Sequence, residues 1–261
     1  MYLLDNAAPQ APDRFDALAT IFDPGTTRHL EALGIGDGSR CLEIGAGGGS
    51  IARWMADRAG PHGHVVATDI DPRHLRIGDR ANLDVRQHDV SHDPLPEAAF
   101  DLIHARLVLM HLPDPDGVLA RMVDALAPGG RILIEDFDAP FGARHQMLRT
   151  TLAVRHVLAQ GGVHVDSGGT LAARLRAHGL ELVETEARAF EWTGGSPGAM
   201  LMRANFEQLR DRILASGLLT AQEFEEDLSR LDDPGLTMPS PVMWAAWGTL
   251  SARSPRTRGT A

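Results

Sequence analysis

Cys41-Leu42-Glu43-Ile44-Gly45-Ala46-Gly47-Gly48-Gly49-Ser50 reads as a short apolar strand carrying an acid near its end, a glycine-rich turn and the opening of a helix over 51–59. Glycine is required where a backbone turns tightly and must also touch a ligand, because a Cβ would block the approach. Working outward, the same alternation repeats. Strands are expected over 40–44, 64–69, 84–88, 100–104 and 131–135, with helices over 72–79 and 116–126. In the last of these, Val118, Leu119, Met122, Val123 and Leu126 share one helical face. Leu126-Ala127-Pro128-Gly129-Gly130 turns the chain into the fifth strand. The strands are unbroken apolar runs separated by helices, a pattern that implies a parallel sheet buried on both faces.

The remainder is less regular. Helices are expected over 142–160, 170–178 and 198–215, and the capping box Thr220-Ala221-Gln222-Glu223 opens another to 231. Strands over 181–192 and 242–250 would complete a seven-stranded sheet. Near the start, residues 13–33 read as helical segments broken at Asp23-Pro24-Gly25. The expected plan is an N-terminal helical cap segment, 1–32, and one α/β domain, 33–250. Helical insertions at about 141–160 and 198–232 would cap its active-site edge, and 251–261, with Arg253, Arg256 and Arg258, would form a disordered tail.

The formal net charge of −10 argues against a nucleic-acid or anionic-membrane partner, since both demand a basic surface. Every basic residue other than histidine is arginine, so Schiff-base catalysis and pyridoxal phosphate anchoring through lysine are excluded. Cys41 stands alone in an apolar run, which predicts a buried core thiol rather than a disulfide or zinc site. Neither a secretory h-region nor a membrane-length apolar run is read, and the expected location is the cytoplasm.

Gly47-Gly48-Gly49-Ser50-Ile51-Ala52 also fits a nicotinamide-nucleotide pattern. Three features oppose that reading. Glu43 would repel a pyrophosphate. The Pro128-Gly129-Gly130 turn precedes the fifth strand, and the fourth is followed by His104-Ala105-Arg106-Leu107-Val108-Leu109-Met110-His111-Leu112-Pro113-Asp114.

Glu43-x-Gly45-x-Gly47-x-Gly49, Asp69, Asp89, Phe100-Asp101-Leu102-Ile103 and Leu126-Ala127-Pro128-Gly129-Gly130-Arg131 together resemble class I S-adenosylmethionine-dependent methyltransferases. The likeness is nearest to the small-molecule branch related to ubiquinone/menaquinone and natural-product enzymes, and it covers about residues 33–137. It implies a doubly wound, Rossmann-like seven-stranded α/β fold and S-adenosylmethionine as cofactor. Gly45, Ala46, Gly47 and Gly49 would pass beneath its methionine part, and Glu43 would help bind the ammonium region. Asp69 would accept both ribose hydroxyls, as a carboxylate can from a vicinal diol. Ile70 would flank the adenine, while Asp89 and Val90 would read its amino edge. Ala105 would offer its carbonyl near the ammonium, beside Arg106.

Methyl transfer from a sulfonium is an in-line displacement that releases a neutral thioether, so alignment supplies most of the acceleration and no metal is required. A base matters only where the acceptor must lose a proton. His111 is the first candidate and Asp136 the second; both stand where the resemblance places a His and an Asp. His104, inside a strand, reads as a core or cofactor-side histidine. Phe141, Met147, Trp192, Met200, Phe206, Met238 and Trp244 are candidate walls for a small-molecule acceptor, with ordinary core as the competing reading. Tyr2 lies on the opening arm, where it could close over the cofactor or be disordered. A homodimer is left open. So are two rival functions: cofactor binding in a non-methylation reaction such as a cyclisation, and a non-catalytic binding module.

Overall fold

In the computed structural model of the chain, residues 3–138 and 148–252 are described. Helix α1 (Ala11–Ala32) precedes β1 (Arg40–Ile44), α2 (Ser50–Ala59), β2 (His64–Asp69), β3 (Leu83–Gln87) and β4 (Phe100–Arg106). Next come α3 (Pro115–Ala125), β5 (Leu126–Asp138), α4 (Leu148–Gln160), α5 (Leu171–Ala177), β6 (Glu181–Arg188) and β7 (Glu191–Thr193). The chain then forms α6 (Pro197–Ala215), α7 (Ala221–Arg230), β8 (Thr237–Pro239) and β9 (Val242–Thr249).

The main sheet has seven strands in the order β3-β2-β1-β4-β5-β9-β6. Strands β1 to β5 pair in parallel, and β9 enters antiparallel between β5 and β6. The alternation of residues along β1 explains why both faces are buried. Cys41 packs with Val65, Ala67 and Leu102 against Ile51, Met55 and Ala56 of α2 and Leu30 of α1. Leu42 and Ile44 face the opposite way, with Val66, Ile103 and Ala105, against Val118, Leu119, Met122 and Val123 of α3. Cys41 is fully buried, and that burial pushes its thiol pKa up to about 12. A third apolar cluster joins α1, α4, α6 and α7 through Ala17, Phe22, Val157, Phe206 and Phe224.

Three expectations need correction. Helix α1 runs unbroken through Pro24. Proline removes a helical N–H and usually costs ~3 kcal/mol inside a helix, but tertiary contacts hold both sides here. The Phe22 ring packs edge-on against Phe137 and Phe190, Asp23 pairs with Arg106 at 2.8 Å, and Thr26 donates to Glu135 at 2.6 Å. Residues 72–79 do not form a helix: a single 3-10 turn, Pro72–His74, gives way to extended backbone at Leu75, and Gly78 has φ +61°. The strand expected over 181–192 divides. Only β6 joins the main sheet, while β7 pairs with β8 in a separate two-stranded sheet. Of the expected insertions, 148–160 lies in α4, and α6 and α7 fill the later one. Tyr2, Phe141, Met147 and the tail arginines lie outside the described residues. Among the described residues, no helix is long and apolar enough to cross a membrane.

Candidate active site

The glycine turn between β1 and α2 meets the end of β2. Gly45 and Gly47 take φ +69° and +53°, values that favour glycine. A Cβ on Gly45 would collide with Val108 Cγ2, and one on Gly47 would lie 2.7 Å from Phe15 Cε1. Ala46 N–H donates to Thr68 O at 2.9 Å and fastens the turn to β2. Gly47 N–H then donates to Asp69 Oδ2 at 2.8 Å. The other carboxylate oxygen, Oδ1, accepts from Asp71 N–H at 2.9 Å and from the Asn6 amide at 3.3 Å. Asp69 is buried, which raises its pKa, while the two main-chain donors oppose that rise. The glycine pattern and the resemblance point to the glycines and Asp69, and the structure brings them together.

The opening segment lies over them. Asn6 Nδ2 also donates to Asp71 O at 3.3 Å, and His74 Nε2 donates to Asn6 O at 2.7 Å. Arg14, 2% exposed, donates to Leu4 O and Asn6 Oδ1 at 3.0 Å each and to Gln208 Oε1 at 2.5 Å. Gln208 Nε2 donates in turn to Asp5 O at 2.8 Å. Asn6, Arg14, Phe15 and Gln208 are absent from the residues singled out by sequence. Only Arg14 leaves a readable trace: it falls at helical spacing between Ala11 and Ala17, both buried on the inner face of α1.

At the ends of β4 and β5 the outcome differs by residue. Leu109–His111 form a 3-10 turn. Burial, assisted by the nearby Arg14 guanidinium, holds the His111 pKa down at about 4, so its ring is neutral near pH 7. Asp136 is fully buried and accepts from Met110 N–H at 3.1 Å, beneath the turn rather than at its surface. Burial pushes its pKa up to about 8, against that hydrogen bond. The second side-chain oxygen, Oδ1, makes no hydrogen bond within the described protein. His164 clamps the same turn, its N–H donating to Met110 O at 2.7 Å and Nε2 to Leu112 O at 3.0 Å.

Glu43 has a partner within the protein that the sequence reading did not include. Its Oε2 lies 2.7 Å from His104 Nδ1, and His104 Nε2 lies 3.2 Å from Glu135 Oε2. All three side chains are at least 95% buried. Burial opposes a charge on His104, but the two glutamates prevail and raise its pKa to about 9. Glu135 is held below the ordinary carboxylate range: burial alone would raise it, and the His104 hydrogen bond leads the groups that lower it. Arg106 extends this network away from the glycine turn, bonding Thr26 Oγ1 at 2.9 Å and Asp23 Oδ1 at 2.8 Å.

On the far side of Asp69, Ile70 is 51% exposed, a position open to an aromatic ring. Asp89 closes its own loop: Ser91 N–H bonds Oδ1 at 2.9 Å, and His92 Nδ1 lies 2.9 Å from Oδ2. The His92 bond leads the causes that lower the Asp89 pKa. Val90 and Ala105 are buried in the core. Of the candidate walls, Trp192, Phe206 and Met238 belong to the helical cluster, and Met200 faces outward with 51% exposure. Trp244 packs beside the α3 face, where its buried Nε1 makes no hydrogen bond within the described protein. Among the described residues, no group of three or more His, Cys, Asp or Glu side chains is placed to hold a metal ion.

A seven-stranded sheet with β9 antiparallel between β5 and β6, a glycine turn at its first crossover and an acid at the end of the next strand define a Rossmann-like α/β protein. Comparison with known proteins agrees. The family described as "Methyltransferase domain" matches residues 14–185, more than half of the chain. The methyltransferase str2 of Strobilurus tenacellus is 38% identical over 128 residues, covering 48% of this chain and 45% of that protein. The ubiquinone/menaquinone biosynthesis C-methyltransferase UbiE of Bordetella avium is 34% identical over 135 residues, covering 48% and 53%. The chain thus spans about half the length of these relatives. Among solved structures, Haemonchus contortus phosphoethanolamine N-methyltransferase 2 shares the fold with TM-score 0.61 at 18% identity, covering 95% of this chain and 59% of that one. The chain belongs to the methyltransferase-domain family.

Proposed function

We propose that this protein transfers a methyl group from S-adenosylmethionine to a small organic acceptor in the cytoplasm. The observation that carries the reading is the junction of Gly47 N–H with the buried carboxylate of Asp69 at the mouth of β1 and β2. Gly45 and Gly47 pack against Val108 and Phe15 at positive φ and keep the turn bare of side chains, as close approach of a cofactor's methionine part would need. Asp69 would hold the ribose diol, with exposed Ile70 beside the adenine and Asp89 and Val90 at its edge. Ala46, Gly49 and the Ala105 carbonyl would frame the methionine end, with Arg106 beside it but turned to Thr26 and Asp23. Glu43 acts there through its bond to His104. When bound, the cofactor supplies an electrophilic methyl on a positively charged sulfur.

The protein's part is alignment and proton placement. Neutral His111 can accept an acceptor proton on a ring nitrogen, although its lowered pKa makes it a weak base. That strength suits acceptors whose nucleophile is already anionic or is an activated carbon, and the C-methyltransferase relative supports the second. Asp136 supports the turn that carries His111. The anionic surface favours small-molecule rather than nucleic-acid partners. The test is formation of S-adenosylhomocysteine from S-adenosylmethionine with candidate quinol and phenol acceptors. Turnover that requires acceptor supports the reading, while cofactor binding without acceptor-dependent product contradicts it.

A further inference from the structure

The acid at the end of β2 has more suitors than lone pairs. An ionised carboxylate offers about four acceptor sites on its two oxygens. Gly47 N–H takes one and Asp71 N–H a second, both from backbone that builds the site itself. A ribose diol would need the remaining two. The Asn6 amide stands on one of these. Asn6 and a ribose diol therefore compete for Asp69.

The Asn6 contact is not a stray one. Its side chain is buried, and three separate elements hold the backbone around it. Arg14 of α1 bonds Leu4 O and Asn6 Oδ1, Gln208 of α6 bonds Asp5 O, and His74 of the turn after β2 bonds Asn6 O. Two of these latches are coupled, because Gln208 also accepts from Arg14. The residue after Arg14, Phe15, covers Gly47 and Gly48: its ring and Cβ lie 2.7 and 3.1 Å from where their Cβ atoms would stand. A single stretch thus covers both halves of the proposed cofactor cleft.

We propose that residues 4–6 form a strap latched across the cleft by Arg14, Gln208 and His74, that Asn6 stands in for a ribose hydroxyl on Asp69, and that cofactor loading requires the strap to open. This rests on the cofactor assignment above. Opening precedes productive binding, so the observed association rate reaches a ceiling at high ligand concentration. Weakening any latch raises the open fraction and tightens apparent affinity by the same factor.

The experiment is stopped-flow and calorimetric binding of S-adenosylhomocysteine to the full-length wild type, Asn6→Ala and Gln208→Ala. Gln208→Ala releases Asp5 and one Arg14 contact without touching Asp69, so it serves as an independent variant. Wild type should show a saturating association rate. Both variants should raise that ceiling and bind at least about threefold tighter. Binding by the variants alone would support the strap more strongly still. Wild-type binding with a linear concentration dependence, and with both variants unchanged or weaker, would overturn the strap and leave the cofactor assignment standing. No binding by any of the three proteins would overturn both.

Discussion

Asp69 is held by two main-chain donors at 2.8 and 2.9 Å, so it is aimed before any ligand arrives. Replacing it with alanine removes the acceptor of two charge-assisted hydrogen bonds to the ribose diol. Asp69→Ala should weaken S-adenosylhomocysteine binding by about 2–4 kcal/mol in calorimetry, and circular dichroism should report a retained fold. Unchanged affinity would remove Asp69 from the ribose subsite. His111 tests the chemistry. Its pKa is lowered to about 4, so the wild-type rate should be flat near neutrality and fall only as pH drops toward that value. If the acceptor loses a proton in the slow step, His111→Ala should slow turnover by ~10²–10⁴-fold with cofactor affinity unchanged. Full activity in that variant would reduce His111 to a turn residue. An unperturbed histidine would have placed the rate rise near pH 6.5; the difference comes from burial and Arg14, neither of which local sequence displays. The glycines are legible because backbone geometry dictates the residue type, and Asp69 is legible through the resemblance that the motifs carry. Glu43 adds a partner that local sequence does not display: its Oε2 lies 2.7 Å from His104 Nδ1, 61 residues away along the chain.

At the scale of elements, the glycine turn is constrained at Gly45 and Gly47 by both positive φ and close packing. Gly47→Ala would place a Cβ in the left-handed region, at ~1–2 kcal/mol, and drive it to 2.7 Å from Phe15 Cε1. Thermal melting should show a measurable loss, and S-adenosylhomocysteine titration should show weakened binding. A variant that melts and binds like wild type would mean that the turn has room to relax. The strands β1, β2, β4 and β5 are readable from sequence because each is an apolar run closed by turn residues. The failures have separate physical causes. Pro24 signals a break, but Phe22, Asp23 and Thr26 each have a tertiary partner that outweighs the missing hydrogen bond. Residues 72–79 carry helical periodicity, but Leu75 and Ile77 are drawn onto the α2 cluster instead. The strand over 181–192 divides because Trp192 belongs to the helical cluster, where β7 pairs with β8.

Across the whole molecule, buried ionisable groups set how stability responds to pH. His104 binds its proton more tightly folded than unfolded, with a pKa of about 9. Its contribution is complete below the unfolded value and lost as pH rises through the folded one. Asp136, raised to about 8, acts in the same direction: the folded state keeps a proton that the unfolded carboxyl has already lost. The His104 contribution should therefore decline between about pH 6.5 and 9, and the Asp136 contribution between about pH 4 and 8. Asp136→Asn keeps an acceptor for Met110 N–H and removes the ionisation, so its melting temperature should fall less over that range. Parallel profiles for the two proteins would show that Asp136 is not a source of the decline.

The most direct measurement is calorimetric titration of the full-length protein, with chelator present, against S-adenosylmethionine, S-adenosylhomocysteine and NAD. A glycine turn fastened to Asp69, with Glu43 close by, should bind the two sulfur nucleosides without metal and ignore the pyrophosphate-bearing cofactor. Binding of NAD together with silence toward both S-adenosyl ligands would contradict the assignment at its root.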